Sequence, residues 1–371
     1  MEFKIIDVKT GEIISKEIEE IDWNEKGDKI NYEHYMLKEI LEQSETILNA
    51  LNQDNKELID VALDILRSRD VIFTACGTSR YAAIIGRYLL SKIAKKFSEV
   101  IIASEFQYFS NSVDKNTLVI AISQSGETAD VLEGVKKAKE NGAKIIALTN
   151  VKGSSLSKMV DKVFYLNCGP EVAVAATKSF TAQLTILYLF AFATINKIQE
   201  GKSKLKEIAK KVEELIKINN LESIAYKLRD SSDFYYIARG IDFAIASEGA
   251  LKLKEISYVH AEGMPAGELK HGTLSLIEKN TPVIIICPKD YTYEETINNA
   301  IEAKTRGALI IGVSDEKSDV FDYWIKIPKV EEIFYPIISV IPLQLFAYYL
   351  AIANGNNPDK PRNLAKSVTV K

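Results

Sequence analysis

Hydroxyl side chains cluster in the segment SQSGET (123–128), which lies between a buried apolar run and an amphipathic stretch. Ser123, Ser125 and Thr128 can donate hydrogen bonds, and Gly126 lets a ligand approach the backbone closely. The helix predicted to follow offers unpaired N–H groups and a partial positive charge, which favour an anion. No lysine lies in the loop, which excludes a nucleoside triphosphate P-loop. A sugar monophosphate fits this set of donors better.

A second hydroxyl-bearing turn, Gly77-Thr78-Ser79, follows the strand predicted just before it. Ligands of an open parallel sheet bind beyond the carboxyl ends of its strands, so both turns are expected at one edge. The alternative is that these hydroxyls only cap the helices that follow. Two such turns on neighbouring strand ends favour binding, so Thr78 and Ser79 join the predicted anion site.

A lysine and a glutamate, Lys252 and Glu255, share one face of a predicted helix because they lie three residues apart. Proton transfer between neighbouring carbons needs a carboxylate base, an acid and a cation near the developing oxyanion. His271, which follows a glycine-containing turn, can supply the acid. The alternatives are a surface ion pair and a structural histidine. Apolar residues on both sides of the pair favour a buried site.

The elements that position these groups are short apolar runs separated by helical segments from about residue 55 onward. Continuous rather than alternating apolar character is typical of strands buried on both faces, and therefore of a parallel sheet. The runs in the first half are VIFTACG (71–77), EVIIASE (99–105), NTLVIAIS (116–123), KIIALTN (144–150) and KVFYLN (162–167). Ahead of them, residues 1–23 predict two short strands and residues 32–51 an amphipathic helix.

The whole pattern then occurs a second time. The matched positions are Gly77 and Gly240 and also Ala103 and Ala266, each 163 residues apart, Asn116 and Asn280, 164 apart, and Gly142 and Gly307, 165 apart. So constant a spacing predicts two tandem α/β sandwiches of common ancestry. The expected divisions are a hairpin and helix arm (1–54), a first sandwich that binds the anion (55–215), a second sandwich (216–355) and a tail (356–371).

The two copies differ where the chemistry is expected. The second copy carries CPKDYT (287–292) in the place of the hydroxyl loop. Bulky or charged residues replace hydroxyl groups there. We therefore predict that only the first copy binds the anion.

Composition excludes several classes of protein. The chain has 371 residues, a formal net charge of −4 and a pI near 5.7, which argue against a nucleic-acid-binding surface. Its three cysteines are far apart and, with three histidines, complete no zinc pattern, so neither metal nor cofactor is predicted. No secretion signal begins the sequence, which favours a cytoplasmic location. The apolar stretch at 334–353 is interrupted by polar residues and by proline, and predicts a buried helix pair rather than a membrane span.

The two hydroxyl motifs, SQSGET and the upstream ACGTS (75–79), resemble those of the sugar isomerase (SIS) domain family, whose members bind phosphosugars. The resemblance narrows to the isomerase halves of the glucosamine-6-phosphate synthase family. It rests there on GALKLKEISYVHAE (249–262), AGELKHG (266–272), PRNLAKSVTV (361–370) and the helix YEHYMLKEILEQ (32–43). This implies two flavodoxin-like three-layer sandwiches with parallel sheets, and a C-terminal tail that closes the site.

The resemblance also implies roles for individual residues. Glu255 is the base that moves a proton between C1 and C2 of the sugar, and Lys252 assists at the C2 oxygen. His271 opens the sugar ring, and Lys366 reaches the carbonyl carbon of the open ketose, where it can form a Schiff base. The implied sugar-phosphate contacts are Thr78, Ser79, Ser123, Gln124, Ser125, Thr128, Val174 and Ala365.

The family pattern implies partners as well. It implies a homodimer with shared sites, in which His271 completes the neighbour's pocket. In the family a glutaminase domain with an N-terminal cysteine precedes this region, whereas the first cysteine here is Cys76. We therefore expect ammonia to come from a separate glutaminase or another source. Neither a nucleic acid nor a membrane is an expected partner.

One further departure concerns AVAATK (173–178), where the family usually has Ser-Thr-Lys, so that Ala176 lacks a hydroxyl. Two other functions stay open. One is an amino-sugar-phosphate deaminase or deglycase, which the linker helix and the tail speak against. The other is a non-catalytic phosphosugar sensor, which should lack Glu255 or carry a DNA-binding helix.

Overall fold

The computed structural model describes residues 5–6, 13–14, 31–217 and 221–370. Near the amino terminus, β1 (Ile5–Ile6) pairs antiparallel with β2 (Ile13–Ile14), which confirms the predicted strand pair. The turn expected between them lies outside the described residues. The arm continues as α1 (Tyr35–Leu41) and α2 (Gln43–Ala50), so the single predicted helix is divided at Glu42.

The first sandwich is built on a five-stranded parallel sheet. Its strands are β3 (Asp70–Ala75), β4 (Glu99–Ile102), β5 (Thr117–Ile122), β6 (Lys144–Thr149) and β7 (Lys162–Tyr165). Their spatial order is β4-β3-β5-β6-β7. The flanking helices are α3 (Asn55–Arg67), α4 (Gly77–Leu89), α5 (Phe106–Phe109), α6 (Ala129–Glu140) and α7 (Ser155–Met159). Central strand β5 is buried along its whole length, as its continuous apolar run predicts.

Three helices, α8 (Lys178–Thr194), α9 (Ile198–Ile216) and α10 (Leu221–Leu228), lead into the second sandwich. Its strands are β8 (Asp233–Ala238), β9 (His260–Pro265), β10 (Pro282–Ile286), β11 (Leu309–Ser314) and β12 (Tyr323–Lys326). Their order, β12-β11-β10-β8-β9, is the order of the first sheet with each strand replaced by its repeat partner. The predicted fold class, two tandem parallel α/β sandwiches, is therefore confirmed.

The remaining helices of the second sandwich are α11 (Phe243–Ser257), α12 (Tyr293–Lys304) and α13 (Tyr335–Ala353). The repeat extends to backbone conformation, since Gly77 and Gly240 both have positive φ, at 52° and 58°. One continuous apolar core joins α8, α13 and the facing sides of both sheets, and each sheet has a smaller core on its other side. The domain boundaries given above stay predictions.

The prediction of a helix pair at 334–353 is wrong. Residues Tyr335–Ala353 form one helix with Pro342 inside it. A proline within a helix removes a backbone hydrogen bond and costs about 3 kcal/mol. Packing offsets this cost here, because nearly every residue of α13 is buried. Within the described residues, Glu332–Ala353 is the one helical segment long and apolar enough to cross a membrane, and 83% of its apolar window is buried inside the fold.

Candidate active site

The two hydroxyl turns meet at the carboxyl edge of the first sheet. β3 and β5 are hydrogen-bonded neighbours, and the chain winds in opposite directions from this pair. Such a switch point forms a crevice between the loops that follow the two strands. The turn at Gly77 and the loop at 123–128 line this crevice, as their places in the sequence predict.

The hydroxyl loop is held by its own side chains. Ser123 Oγ lies 2.9 Å from Thr128 Oγ1 and accepts a hydrogen bond from Gly126 N at 3.1 Å. Gly126 has φ 67°, and a Cβ there would lie 2.3 Å from Ser154 Oγ, so only glycine fits. Thr128 is the N-cap residue of α6, yet its side chain makes no capping hydrogen bond. The capping alternative therefore does not account for Thr128.

The second sheet has the same strand order and therefore a matching switch point after β8 and β10. The two switch points differ in the free space beside the glycine that follows the first strand. A Cβ built on Gly77 would meet nothing within 4 Å, whereas one on Gly240 would lie 2.7 Å from the Tyr291 hydroxyl. Asp290 accepts hydrogen bonds from the backbone N–H and the hydroxyl of Thr292. The crevice of the second copy is thus filled by its own side chains, while that of the first copy is open.

The C-terminal tail crosses from the second sandwich to the hydroxyl loop. The Arg362 guanidinium stacks 4.3 Å from the ring centroid of Tyr258, the residue that follows α11. Further along, Ser367 Oγ donates to Ser125 Oγ at 3.1 Å, and Ala129 N donates to the carbonyl oxygen of Val368 at 3.0 Å. Ala365 is exposed between these two anchors. The tail therefore lies over the loop and at the start of α6.

Lys252 is the buried centre of the predicted acid–base group. Its side chain is fully buried, with Nζ 2.6 Å from Glu255 Oε2 and 3.5 Å from Glu248 Oε1. Nζ also donates to Thr78 Oγ1 at 2.9 Å, and that hydroxyl donates to Glu248 at 3.1 Å. Glu255 keeps part of its side chain exposed. The pair is therefore not a surface ion pair, and the Thr78 hydroxyl is already used within the protein.

Burial and charge act in opposite directions on this group. Burial disfavours the Lys252 ammonium, but Glu248 and Glu255 outweigh it and raise the pKa of Lys252. Burial also raises the pKa of Glu248 to about 8, against the opposing effect of Lys252. Below pH 8, Glu248 is therefore mainly neutral beside the charged Lys252. The Oε2 atom of Glu248 is buried without a hydrogen-bond partner among the described residues.

Lys366 is held on the other side of the crevice by the loop between β7 and α8. Its Nζ donates to Glu171 Oε2 at 2.6 Å and to the carbonyl oxygen of Ala173 at 2.8 Å. Both acceptors stabilise the charged ammonium, whereas a Schiff base forms from the neutral amine. Val174, the predicted sugar contact, lies in the same loop and donates its N–H to the carbonyl oxygen of Asp359.

The ion pair of Lys366 with Glu171 also affects the pKa of Lys252. Although burial opposes it, Lys366 lowers the pKa of Glu171 to about 2, assisted by the N–H groups of Ser179 and Thr177. The negative charge of Glu171 is also among the causes that raise the pKa of Lys252. The structure therefore brings Lys252, Glu255 and Lys366 to one crevice, beside the hydroxyl loop.

His271 lies apart from this crevice within the chain. It ends the 3₁₀ helix Ala266–His271, which follows β9 at the edge of the second sheet, and its side chain is exposed. No hydrogen bond or ion pair in the described part of the chain joins it to Glu255, Lys252 or Lys366. A role for His271 in its own chain's site has no support in these contacts.

Two further predicted residues have structural contacts of their own. Ser79 Oγ accepts a hydrogen bond from Gln183 Nε2 at 2.9 Å. The carbonyl oxygen of Gln124 accepts from Asn150 N at 2.9 Å, which fixes the loop against β6. Where the structure is described, no group of three or more His, Cys, Asp or Glu side chains is placed to hold a metal ion.

Sequence reasoning missed three glutamates of the crevice. Glu248 lies four residues before Lys252 and seven before Glu255, so helical spacing could have identified it. Glu171 and Glu39 carried no such signal, since their partners lie far away in the sequence: Glu171 binds Lys366 and Glu39 binds the backbone of Val172.

Comparison with known families agrees with this geometry. The SIS domain model matches residues 64–193 and again 227–354, one match for each sandwich. The chain therefore belongs to the SIS domain family. Within that family it is 47% identical, over 98% of its length, to the glutamine--fructose-6-phosphate aminotransferase [isomerizing] of Thermococcus kodakarensis. It is 45% identical to the enzyme of the same name from Pyrococcus horikoshii, over 99% of its length. It spans 62% and 63% of the lengths of these two relatives.

Solved structures place the chain in the same group. The C-terminal domain of glucosamine-fructose-6-phosphate aminotransferase from Francisella tularensis superposes with a TM-score of 0.83 at 34% identity. The match covers 90% of this chain and 100% of that domain. A glucosamine-6-phosphate deaminase from Thermotoga maritima gives a TM-score of 0.72 at 23% identity, a likeness of fold alone. The resemblance to synthase isomerase domains is thus confirmed.

Replacing Glu248 by glutamine should change how stability depends on pH. The folded-state pKa of Glu248, about 8, lies above its ordinary 4.5, so the wild-type free energy of unfolding falls between these pH values. Glutamine cannot ionise, so the free energy of unfolding of Glu248→Gln should rise relative to that of the wild type as pH increases across this interval. Urea unfolding at pH values below, within and above the interval measures this relative increase. At about 1.4 kcal/mol per unit of pKa shift, the increase should amount to no more than several kcal/mol. A constant difference at every pH would contradict the assignment.

Proposed function

We propose that this chain is a phosphosugar isomerase unit that converts fructose 6-phosphate to glucosamine 6-phosphate when ammonia is supplied, and to glucose 6-phosphate without it. The observation that carries the proposal is the convergence of Lys252–Glu255 and Lys366 on one crevice beside the hydroxyl loop. The names of the relatives support the substrate class. A cytoplasmic location is part of the proposal.

The first step is binding of the phosphate at the hydroxyl loop. Ser123, Ser125 and Thr128 supply hydroxyl groups, and α4 and α6 both begin at this edge with their positive dipole ends. The tail then covers the ligand, since Ser367 and Val368 already contact the loop. The sugar carbons extend from the phosphate toward Glu255 and Lys366.

Proton transfer follows ring opening. Glu255 takes the proton from one of C1 and C2 and returns it to the other, so that the carboxylate is regenerated. Lys252, whose ammonium lies 2.6 Å from Glu255, and Lys366 stabilise the negative charge that develops on the sugar oxygen. When ammonia is present it adds to the carbonyl carbon and water leaves, before the same proton transfer gives the amino sugar. The source of the ammonia stays a prediction.

Ring opening requires an acid, and in this proposal His271 supplies it. The exposed position of His271 supports a homodimer in which each His271 enters the partner's crevice. The active unit in this proposal is the dimer, with two shared sites.

Phosphate recognition should depend on the first copy only. Ser125→Ala removes a hydroxyl that would bond a charged group, a contribution of about 1.5–3 kcal/mol, so affinity for fructose 6-phosphate should fall roughly 10- to 150-fold. Thr292→Ala removes the hydroxyl that matches Thr128 in the second copy, and it should leave affinity unchanged. Isothermal titration calorimetry on the two folded variants makes the comparison. Equal losses would contradict the asymmetry between the two copies.

Glu255→Gln tests the reaction itself. Glutamine keeps the shape but cannot accept the proton, and loss of a general base costs roughly 100- to 10,000-fold in rate. With glucose 6-phosphate deuterated at C2, wild-type enzyme should move the deuterium to C1 or to water, and the variant should not. NMR follows the label, while calorimetry shows that the variant still binds sugar phosphate. Exchange at the wild-type rate would exclude Glu255 as the base.

Mixing two inactive variants tests the shared sites. A dimer of Glu255→Gln with His271→Ala chains contains one crevice with both residues intact, if His271 serves the neighbour. Isomerase activity should therefore reappear after mixed chains are unfolded and refolded together. No recovery, or a fully active monomer in sedimentation, would show that each chain completes its own site.

A further inference from the structure

The N-terminal arm touches the loop that holds Lys366. Glu39 of α1 is buried, and its Oε1 accepts the backbone N–H of Val172 and that of Ala173, the latter at 3.2 Å. The carbonyl oxygen of Ala173 in turn accepts the Lys366 ammonium at 2.8 Å. Ala173 is therefore held by Glu39 through its N–H and holds Lys366 through its carbonyl group. Only this one residue separates the arm from the lysine.

Asp359 forms a second connection between the arm, the loop that holds Lys366 and the tail. The carboxylate of Asp359 accepts the N–H groups of Tyr35 and Met36, at 3.0 and 2.8 Å, and so holds the first turn of α1. The carbonyl oxygen of Asp359 accepts the N–H of Val174 in the Lys366 loop at 3.2 Å. Asp359 also stands at the start of the tail that carries Lys366. Arm, loop and tail are thus tied at two points.

Charge at this junction is nearly balanced. Burial, and then the neighbouring charge of Glu171, raise the pKa of Glu39 to about 8. Glu171 stays ionised beside Lys366. Below pH 8, Glu39 is therefore mainly a neutral acid beside the ionised Glu171. The other charged group that responds to Glu39 is Lys178 of α8, which pairs with Glu42. From α13, Tyr348 meets His34 and not Glu39.

We propose that Glu39 is a positioning residue of the active site, through which the N-terminal arm fixes the Val172–Ala173 backbone and so the place of Lys366. This inference rests on the proposed function for its kinetic consequences, but the positioning itself does not. The arm is then part of the catalytic unit, and a displacement of α1 would move Lys366 relative to the sugar carbonyl. An ionised Glu39 would repel Glu171 and weaken the same arrangement.

The kinetic test compares Glu39→Ala and Glu39→Gln in the conversion of fructose 6-phosphate to glucose 6-phosphate without ammonia. Alanine cannot accept the two N–H groups, so kcat should fall roughly 10- to 100-fold, the usual scale for misplacing a reacting group. Glutamine accepts them without ionising and should restore most of kcat. Because Glu248 also has a pKa near 8, the activity of both proteins should decline above this pH, but that of Glu39→Gln should decline less than that of the wild type. Glu42→Gln, the same change three residues along the arm, should reproduce the wild-type profile.

A second readout is independent of the reaction. Reductive methylation with formaldehyde and cyanoborohydride, followed by peptide mass spectrometry, reports how accessible the Lys366 amine is. Labelling should be several-fold faster in Glu39→Ala than in wild type, Glu39→Gln or Glu42→Gln. Circular dichroism confirms that each variant is folded.

The outcomes separate the two proposals. If wild-type protein does not interconvert the sugar phosphates, the proposed function fails, and the labelling comparison still decides the positioning. The inference on Glu39 is overturned if Glu39→Ala keeps wild-type kcat and wild-type labelling of Lys366. It is equally overturned if the pH profile of Glu39→Gln superimposes on that of the wild type.

Discussion

The buried ammonium of Lys252 is the constraint on which the arrangement of this crevice depends. Moving a charged amine out of water costs several kcal/mol, so the fold must surround it with acceptors. Those acceptors come from both sandwiches: Glu248 and Glu255 from α11, and the Thr78 hydroxyl from the start of α4. Satisfying one buried charge therefore fixes the acid–base group of the second sandwich against the hydroxyl turn of the first. Neither copy of the repeat could build this contact alone.

The repeat itself explains why there is one such crevice and not two. Both sheets have the same strand order and a positive-φ glycine after the first strand, so both present a switch point. The first is left open above Gly77, whereas the Tyr291 hydroxyl fills the space above Gly240. The repeat provides two equivalent frames, and residues of the loop at 287–292 fill one of them. The second sandwich instead contributes α11, which carries Lys252 and Glu255.

The sequence predicted what depends on local pattern and left out what depends on distant contacts. Continuous apolar runs predicted both parallel sheets, and the constant spacing of matched residues predicted the repeat. The wrong prediction of a helix pair at 334–353 has a physical reason. A proline such as Pro342 usually interrupts a helix, and burial of nearly every residue of α13 keeps this helix continuous. Glu39 and Glu171 were not found because their partners are backbone groups and a tail lysine far along the chain. The domain boundaries, the cytoplasmic location and the roles of single site residues stay predictions.

The distribution of charge in the crevice limits how it can bind an anion. Lys252 forms an ion pair with Glu255, and Lys366 forms one with Glu171. Glu248 and Glu39 have pKa values near 8 and are mainly neutral at lower pH. The two lysines are thus already neutralised before a ligand arrives. In the proposed function, a phosphate dianion is held by the helix N-termini and by the hydroxyl groups of the loop. In the same proposal, both ammonium groups, each beside its own carboxylate, then respond to the charge that develops on the sugar during proton transfer.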